Sequence, residues 1–186
     1  MRRLVAALAC RVESARLYAK PLQRLGEGVA ILDQILDALG RIPVISERVL
    51  GISSLEGNEP FAALAGRRGA KFVYGDPEDV VGRLLQSADA AEGTDLFLVT
   101  SENPFVGHEW AEEAWRRHVA NGNDVTALEG APDGMCFEIY RMEALRLSHR
   151  RGSPAQREHV SRYIKQNLED FQIEVVEPEP PCMRPD

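Results

Sequence analysis

The chain has 186 residues, 44% hydrophobic and 27% charged, a composition that fits one folded domain with a sizeable core and excludes a disordered chain. Its 29 acidic against 22 basic residues give a net charge of −7 and a pI near 5.2. That balance excludes the broad cationic face a nucleic-acid backbone or an anionic membrane demands, but leaves room for a few cations around one small anionic ligand.

The opening MRRLVAALAC reads as a first buried strand. Its apolar run is far shorter than the roughly 18–20 residues of a membrane span, and it leads into Arg11 and Glu13 without the small-residue cleavage site of a leader. VAILDQILDALGRI follows as a helix, with Ile31, Ile35, Leu36 and Leu39 on one face and Gly40 near its end. RVLGISS is a second strand, EPFAALAGRRG a short helix with Pro60 early and Gly69 late, and KFVYG a third strand. DPEDVVGRLLQSADAAEG is a helix with Asp76 as its N-cap and Pro77 at its first position. DLFLVTS is a continuous apolar strand of the kind found at the centre of a parallel sheet. HEWAEEAWRRHVANG reads as a helix, DVTALEG and MCFEIYR as strands, MEALRLSHRR and PAQREHVSRYIKQNL as helices, and FQIEVVEP as a last strand. The domain is expected to span residues 1–176, with 177–186 a Pro-rich, acidic, frayed tail. Three cysteines, Cys10, Cys136 and Cys182, odd in number and without CxxC spacing, read as reduced thiols and so as a cytoplasmic chain.

Alternation of strands and helices implies an α/β fold of three layers with a mostly parallel central sheet and right-handed crossovers. Ligands of such sheets bind outside the carboxyl ends of the strands, which points to three loops. The first, CRVESARLYAK, offers Arg11, Ser14, Arg16 and Lys20, a set of guanidinium forks, an ammonium and a hydroxyl suited to a triphosphate. Taken alone it reads equally well as a solvated basic loop, and it is no Walker loop. The second, TSENPF, carries Glu102, and the third, PDGMCFE, carries Asp133 and Glu138. Carboxylates at neighbouring strand ends supply the hard oxygens that Mg²⁺ takes; singly, Glu102 reads as a helix cap and Asp133 as a turn residue. HEWAE at His108 is not HExxH, so no zinc hydrolase is indicated. His118 and His149 read as surface residues, and Trp110 and Trp115 as packing residues of one helix.

Five ordered segments together resemble the SpsF-like branch of the sugar-acid cytidylyltransferases, relatives of the CMP-sialic acid and CMP-Kdo synthetases. The family's Q-A-R-M-G-S-T-R-L-P-G-K loop is matched by A-C-R-V-E-S-A-R-L-Y-A-K, keeping Arg11, Ser14, Arg16, Leu17 and Lys20 in register. Its G-x-x-x-D-V-L-x-R segment is GDPEDVVGR, with Gly75, Asp79 and Arg83; its T-A-D-C-P-L is TSENPF, with Glu102 at the aspartate position. Its P-D-G-L-D-V-E-V is PDGMCFEI, with Asp133, Gly134 and Glu138, and its R-E-H-V-T-P-Y-I is REHVSRYI, with Arg157, Glu158 and His159. The resemblance covers about residues 4–164 and implies a GT-A or Rossmann-like nucleotide-binding fold, a homodimer, and the transfer of CMP from CTP to a sugar-acid hydroxyl with release of pyrophosphate, for a surface polysaccharide.

The same resemblance implies the roles. Arg11 and Lys20 would be catalytic; with Ser14, Arg16, Asp79 and Arg83 they would bind the nucleotide. Asp133, Arg157 and His159 would bind the sugar, and Glu102 and Glu138 would hold Mg²⁺. From spacing alone, Asp79 and Arg83 also read as an i,i+4 surface ion pair. The departures are Glu13 at the family's loop glycine, Tyr18-Ala19 at its Pro-Gly, Cys136 at an aspartate, and a short segment between DVTALEG and PDG, where relatives form the sugar pocket and often a dimer arm. They keep a second expectation open: a member that binds a nucleotide or a partner protein without catalysis.

Overall fold

The computed structural model describes residues 1–13, 17–132 and 134–179. Its centre is β1 (Leu4–Cys10), whose even residues Leu4, Ala6, Leu8 and Cys10 join one core cluster while Ala7 joins another. A strand buried on both faces has no polar side to alternate with, which is why LVAALAC is apolar throughout.

A two-stranded hairpin, β2 (Arg24–Gly26) and β3 (Val29–Ala30), leads into α1 (Ile31–Leu39), whose apolar face is buried as the spacing predicts. The expected second strand is longer, β4 (Ile45–Ser53). Next come α2 (Glu59–Arg67), β5 (Lys71–Gly75), α3 (Val80–Asp89), β6 (Asp95–Leu98), α4 (Ala111–Asn121), β7 (Val125–Leu128), β8 (Glu138–Arg141) and α5 (Met142–Arg151). The expected single helix 154–168 is broken into two short pieces, α6 (Pro154–Arg157) and α7 (Arg162–Lys165), before β9 (Ile173–Val176).

The seven main strands run β5-β4-β1-β6-β8-β7-β9, parallel except where β8 enters antiparallel between β6 and β7. One core cluster joins α1, α2 and α4 to one face, and the other joins α3, α5 and α7 to the opposite face. This is the expected three-layer α/β arrangement. Among the described residues no helix is long and apolar enough to cross a membrane.

Two expectations need correcting. Asp76 is not the cap of α3: its Oδ1 accepts from the N–H groups of Glu78 and Asp79 in a turn, and the cap is Asp79, whose Oδ1 accepts from Gly82 N at 2.8 Å. Pro77 therefore lies before the helix. His118 is not on the surface. It shares the inner stripe of α4 with Ala111 and Ala114, at i, i+3 and i+7, and is fully buried.

His118 belongs to a polar chain at the amino-terminal end of β6, away from the ligand loops. Its Nε2 lies 3.2 Å from Asp95 Oδ1 and its Nδ1 2.9 Å from Thr126 Oγ1, which also accepts from Asn123 Nδ2 at 3.0 Å. A neutral imidazole protonated on Nε2 satisfies the whole chain. Burial pushes the Asp95 carboxyl up, but bonds from His118, Arg2 and Thr94 outweigh it and hold it below the ordinary aspartate range. The unfolded chain then binds the Asp95 proton more readily, so this contribution is present above about pH 4 and is lost as the pH falls below it. Asp95→Asn is expected to cost about 2 kcal/mol near neutrality, on the scale of a hydrogen bond to a charged group, and to flatten the acid limb of stability in urea unfolding.

Candidate active site

Topology gathers the site. β1 and β6 are parallel neighbours, so the loops after them leave the same edge of the sheet. β8 is antiparallel to β6, with Glu138 opposite Leu98, so the first residue of β8 meets the end of β6. Glu138 thereby arrives at the edge where Arg11, Lys20 and Glu102 leave it.

The loop after β1 is pinned at both ends. Val12 N donates to Asn58 Oδ1 at 2.9 Å, and Ala19 N donates to Val12 O at 2.7 Å. Asn58 is itself buried. Ala19 has φ 51°, a left-handed conformation that glycine adopts most readily, so an alanine here keeps a glycine-like backbone path at some strain. Pro21, buried, follows Lys20 in the short 3-10 turn Lys20–Leu22. Lys20 Nζ lies 3.0 Å from Glu102 Oε2, and Arg11 Nη2 lies 3.8 Å from Glu158 Oε1. Ser14 and Arg16 fall outside the described residues.

Asp79 and Arg83 do not form the surface pair their spacing allows. The Asp79 carboxylate caps α3 and faces His149 Nε2 at 2.6 Å. Arg83 is 1% exposed. Its side chain packs where glycines leave room: a Cβ on Gly75 would come within 2.7 Å of Arg83 Cγ, and one on Gly51 within 3.5 Å of Arg83 Cβ. Among the described residues its Nε and Nη1 have no hydrogen-bond partner. Burial lowers the guanidinium's affinity for its proton, and Cys10, Arg11, Asp76 and Asp79 are close enough to act on its charge. Burial also pushes the Cys10 thiol up to about 12, so it stays protonated beneath the loop.

Two cavities flank the end of β6 and share Leu98, Val99, Thr100 and Asn103 as a wall. One, of about 560 Å³, is lined by Lys20, Glu102, Glu158 and His159; the other, of about 410 Å³, by Cys136, Glu138 and Lys165. A third depression carries Arg11, Glu13, Asp76 and Glu158. His159 thus reaches the Lys20 side. Arg157 does not line these cavities; its Nε donates to Gly152 O at 3.2 Å. Asp133 lies outside the described residues. Glu138 Oε2 accepts from the Tyr140 hydroxyl at 2.6 Å. Glu102 and Glu138 border different cavities, and among the described residues no group of three or more His, Cys, Asp or Glu side chains could hold a metal. Thr100 and Asn103 line the site from the TSENPF loop already singled out, though neither was assigned a role; Lys165 carries no sequence signal and is placed only once β6, β8 and α7 converge.

The fold has known counterparts. The chain superimposes on a cytidylyltransferase from Leptospira borgpetersenii with a TM-score of 0.89 at 19% identity, covering 96% of this chain and 77% of that one. It superimposes on CMP:2-keto-3-deoxy-manno-octonic acid synthetase complexed with CTP with a TM-score of 0.73 at 13% identity, covering 95% and 90%. The fold is thus that of the nucleotidyltransferases, of the GT-A-like kind. In sequence it is 25% identical to the spore coat polysaccharide biosynthesis protein SpsF of Bacillus subtilis over 176 residues, 91% of this chain and 73% of that protein. The chain thus resembles SpsF in sequence and the nucleotidyltransferases in fold. No family model matches it.

Proposed function

We propose that the protein transfers CMP from CTP to a hydroxyl of a sugar acid and releases pyrophosphate, as a step toward a surface polysaccharide. The acceptor oxygen forms a bond to the α-phosphorus, the bond to pyrophosphate breaks, and the hydroxyl proton leaves. The observation that carries this reading is the pair of cavities sharing the wall at the end of β6, one lined by Lys20 and the other by Lys165, each beside carboxylates. A transfer between two bound molecules needs that arrangement, because most of the rate comes from holding them in line.

Arg11 and Lys20 would bind the triphosphate and neutralise the leaving pyrophosphate, with Ser14 and Arg16 on the same loop. Arg83 would offer its unpaired N–H groups to the nucleotide, while Asp79, engaged by the helix and His149, would position α3. Asp133 would serve the sugar; His159, which lines the Lys20 cavity, would reach it only from that side, and Arg157, bonded to Gly152 O outside both cavities, would hold the segment that carries His159. Glu102 and Glu138 are hard oxygen donors, and two carboxylates are a donor set from which Mg²⁺ is commonly held when phosphates and water complete the shell. When bound, Mg²⁺ would supply charge neutralisation to the phosphate oxygens.

The test is pyrophosphate release with MgCl₂ and each of the four ribonucleoside triphosphates against a panel of 2-keto sugar acids. Release with CTP above the other three supports the reading. CTP that neither raises the melting temperature nor yields pyrophosphate with any acid of the panel overturns it.

A further inference from the structure

A further cavity, of about 290 Å³, shares no lining residue with the three at the ligand edge of the sheet. The β2–β3 hairpin, α1 and α2 enclose it. Its charged lining is Arg24 from β2, Asp33 from α1 and Arg67 from α2, and Leu22, Pro60 and Leu64 add apolar surface. Two guanidinium groups from distant parts of the chain thus border one concavity. Like charges held together repel, and a chain with 29 acidic residues has counter-charges to spare. Among the described residues, however, neither Arg24 nor Arg67 has an ion pair or a side-chain hydrogen bond.

The carboxylate beside them is already committed. Asp33 Oδ2 accepts from Ala30 N at 3.0 Å, and its Oδ1 accepts from Arg68 Nε at 2.6 Å. Arg68 also reaches Asp37 Oδ1 at 3.1 Å, so one guanidinium serves both aspartates of α1. Burial pushes the Asp33 carboxyl up, but these bonds outweigh it and hold it below the ordinary aspartate range. Both Asp33 oxygens therefore have partners, and the two arginines at the cavity are left without one. Guanidinium forks donate paired N–H groups, and two of them match the several oxygens and the double charge of a phosphate; a carboxylate occupies one fork only. The volume is about ten times the share of one water molecule in the liquid. It takes a phosphate and leaves room beside the apolar residues for a small organic group.

We propose that this cavity binds a phosphate group, free or as the monoester of a small molecule, between Arg24 and Arg67. The proposal stands apart from the transfer reading, because none of its residues has a role there. A bound dianion would tie the hairpin, which directly follows the turn of Lys20, to α2.

The probes are inorganic phosphate, glycerol 3-phosphate and acetate. Each is titrated calorimetrically at constant ionic strength into the full chain and its Arg24→Gln, Arg67→Gln and doubly substituted variants. The series is repeated with Lys20→Met, which removes a competing cation of the first loop. Each single change is expected to weaken phosphate about tenfold, the ratio lost with a hydrogen bond to a charged group, in both series. Arg24→Lys with Arg67→Lys keeps the charge without the forks and should retain part of the affinity. Acetate should not bind. Both arginines are exposed, so the melting temperature without phosphate should stay that of the parent chain. Glycerol 3-phosphate binding tighter than phosphate gives the apolar lining to the organic group, and equal binding gives the site to free phosphate; either result keeps the site. Phosphate affinity unchanged in the double Gln variant, binding that vanishes with Lys20→Met, no binding by the wild type at millimolar concentration, or acetate binding as tightly as phosphate overturns it.

Discussion

Lys20→Met is expected to lower the rate of CTP-dependent pyrophosphate release about 10²–10³-fold, the loss typical of removing one preorganised group that stabilises developing charge. The effect should fall on chemistry rather than folding. Lys20 is partly exposed and its ion pair with Glu102 joins two half-exposed side chains, a class of pair worth at most about 1 kcal/mol. The melting temperature should therefore move little while turnover collapses. Lys20→Arg is a sharper probe: it keeps the charge but exchanges a point charge for a planar fork. Partial activity in Lys20→Arg with none in Lys20→Met would assign the effect to charge at this position. Turnover in Lys20→Met within a few-fold of wild type would remove Lys20 from the reaction.

Arg83→Met is expected to act in opposite directions on stability and on binding. A buried guanidinium whose Nε and Nη1 have no partner among the described residues costs the folded chain the desolvation of those groups, about 1–3 kcal/mol, more where charge is involved. Methionine fills much of the same channel between Gly51 and Gly75 without polar atoms, so the unliganded variant should melt higher, by roughly 2–4 °C for each kcal/mol in a chain of this size. If the open N–H groups exist for the nucleotide, the stabilisation by CTP should disappear in the same variant. A ligand at 100 times its dissociation constant adds about 2.7 kcal/mol, so the missing shift is easily read. A variant that melts lower than wild type and still responds fully to CTP would show Arg83 to be a structural residue.

The layers of this protein were legible because burial on both faces leaves a plain signature: LVAALAC and, after Asp95, LFLV are apolar without alternation, and α1 and α3 repeat their apolar residues at helical spacing. Less legible was anything decided by a partner distant in sequence. Asp76 and Asp79 are both good caps, and only the register of α3 against β1, β4 and β5 selects the second. His118 looks like a polar residue near a helix end; its burial depends on Asp95 and Thr126 from two strands. Arg83 carries the same lesson for the site. Its spacing from Asp79 suggested a surface pair, whereas the glycines at 51 and 75 open a channel that draws it inward. The cations of the first loop were readable as a set, but their present partners, Glu102 and Glu158, come from the loop after β6 and from the segment between α6 and α7.

Those partners bear on how a ligand would be admitted and discharged. With Lys20 facing Glu102 in one cavity and Arg11 near Glu158 in the depression beside it, this edge of the sheet presents little net field to a singly charged anion. A triphosphate carries enough charge to take both cations from their glutamates in one exchange, and the same exchange leaves the Glu102 carboxylate open to a metal ion. After transfer, the nucleotide–sugar phosphodiester keeps a single phosphate charge and competes poorly for the two cations, and the glutamates can reclaim them. The site would then work as a valence filter: entry is reserved for polyanions, and the loss of pyrophosphate itself lowers the hold on what remains.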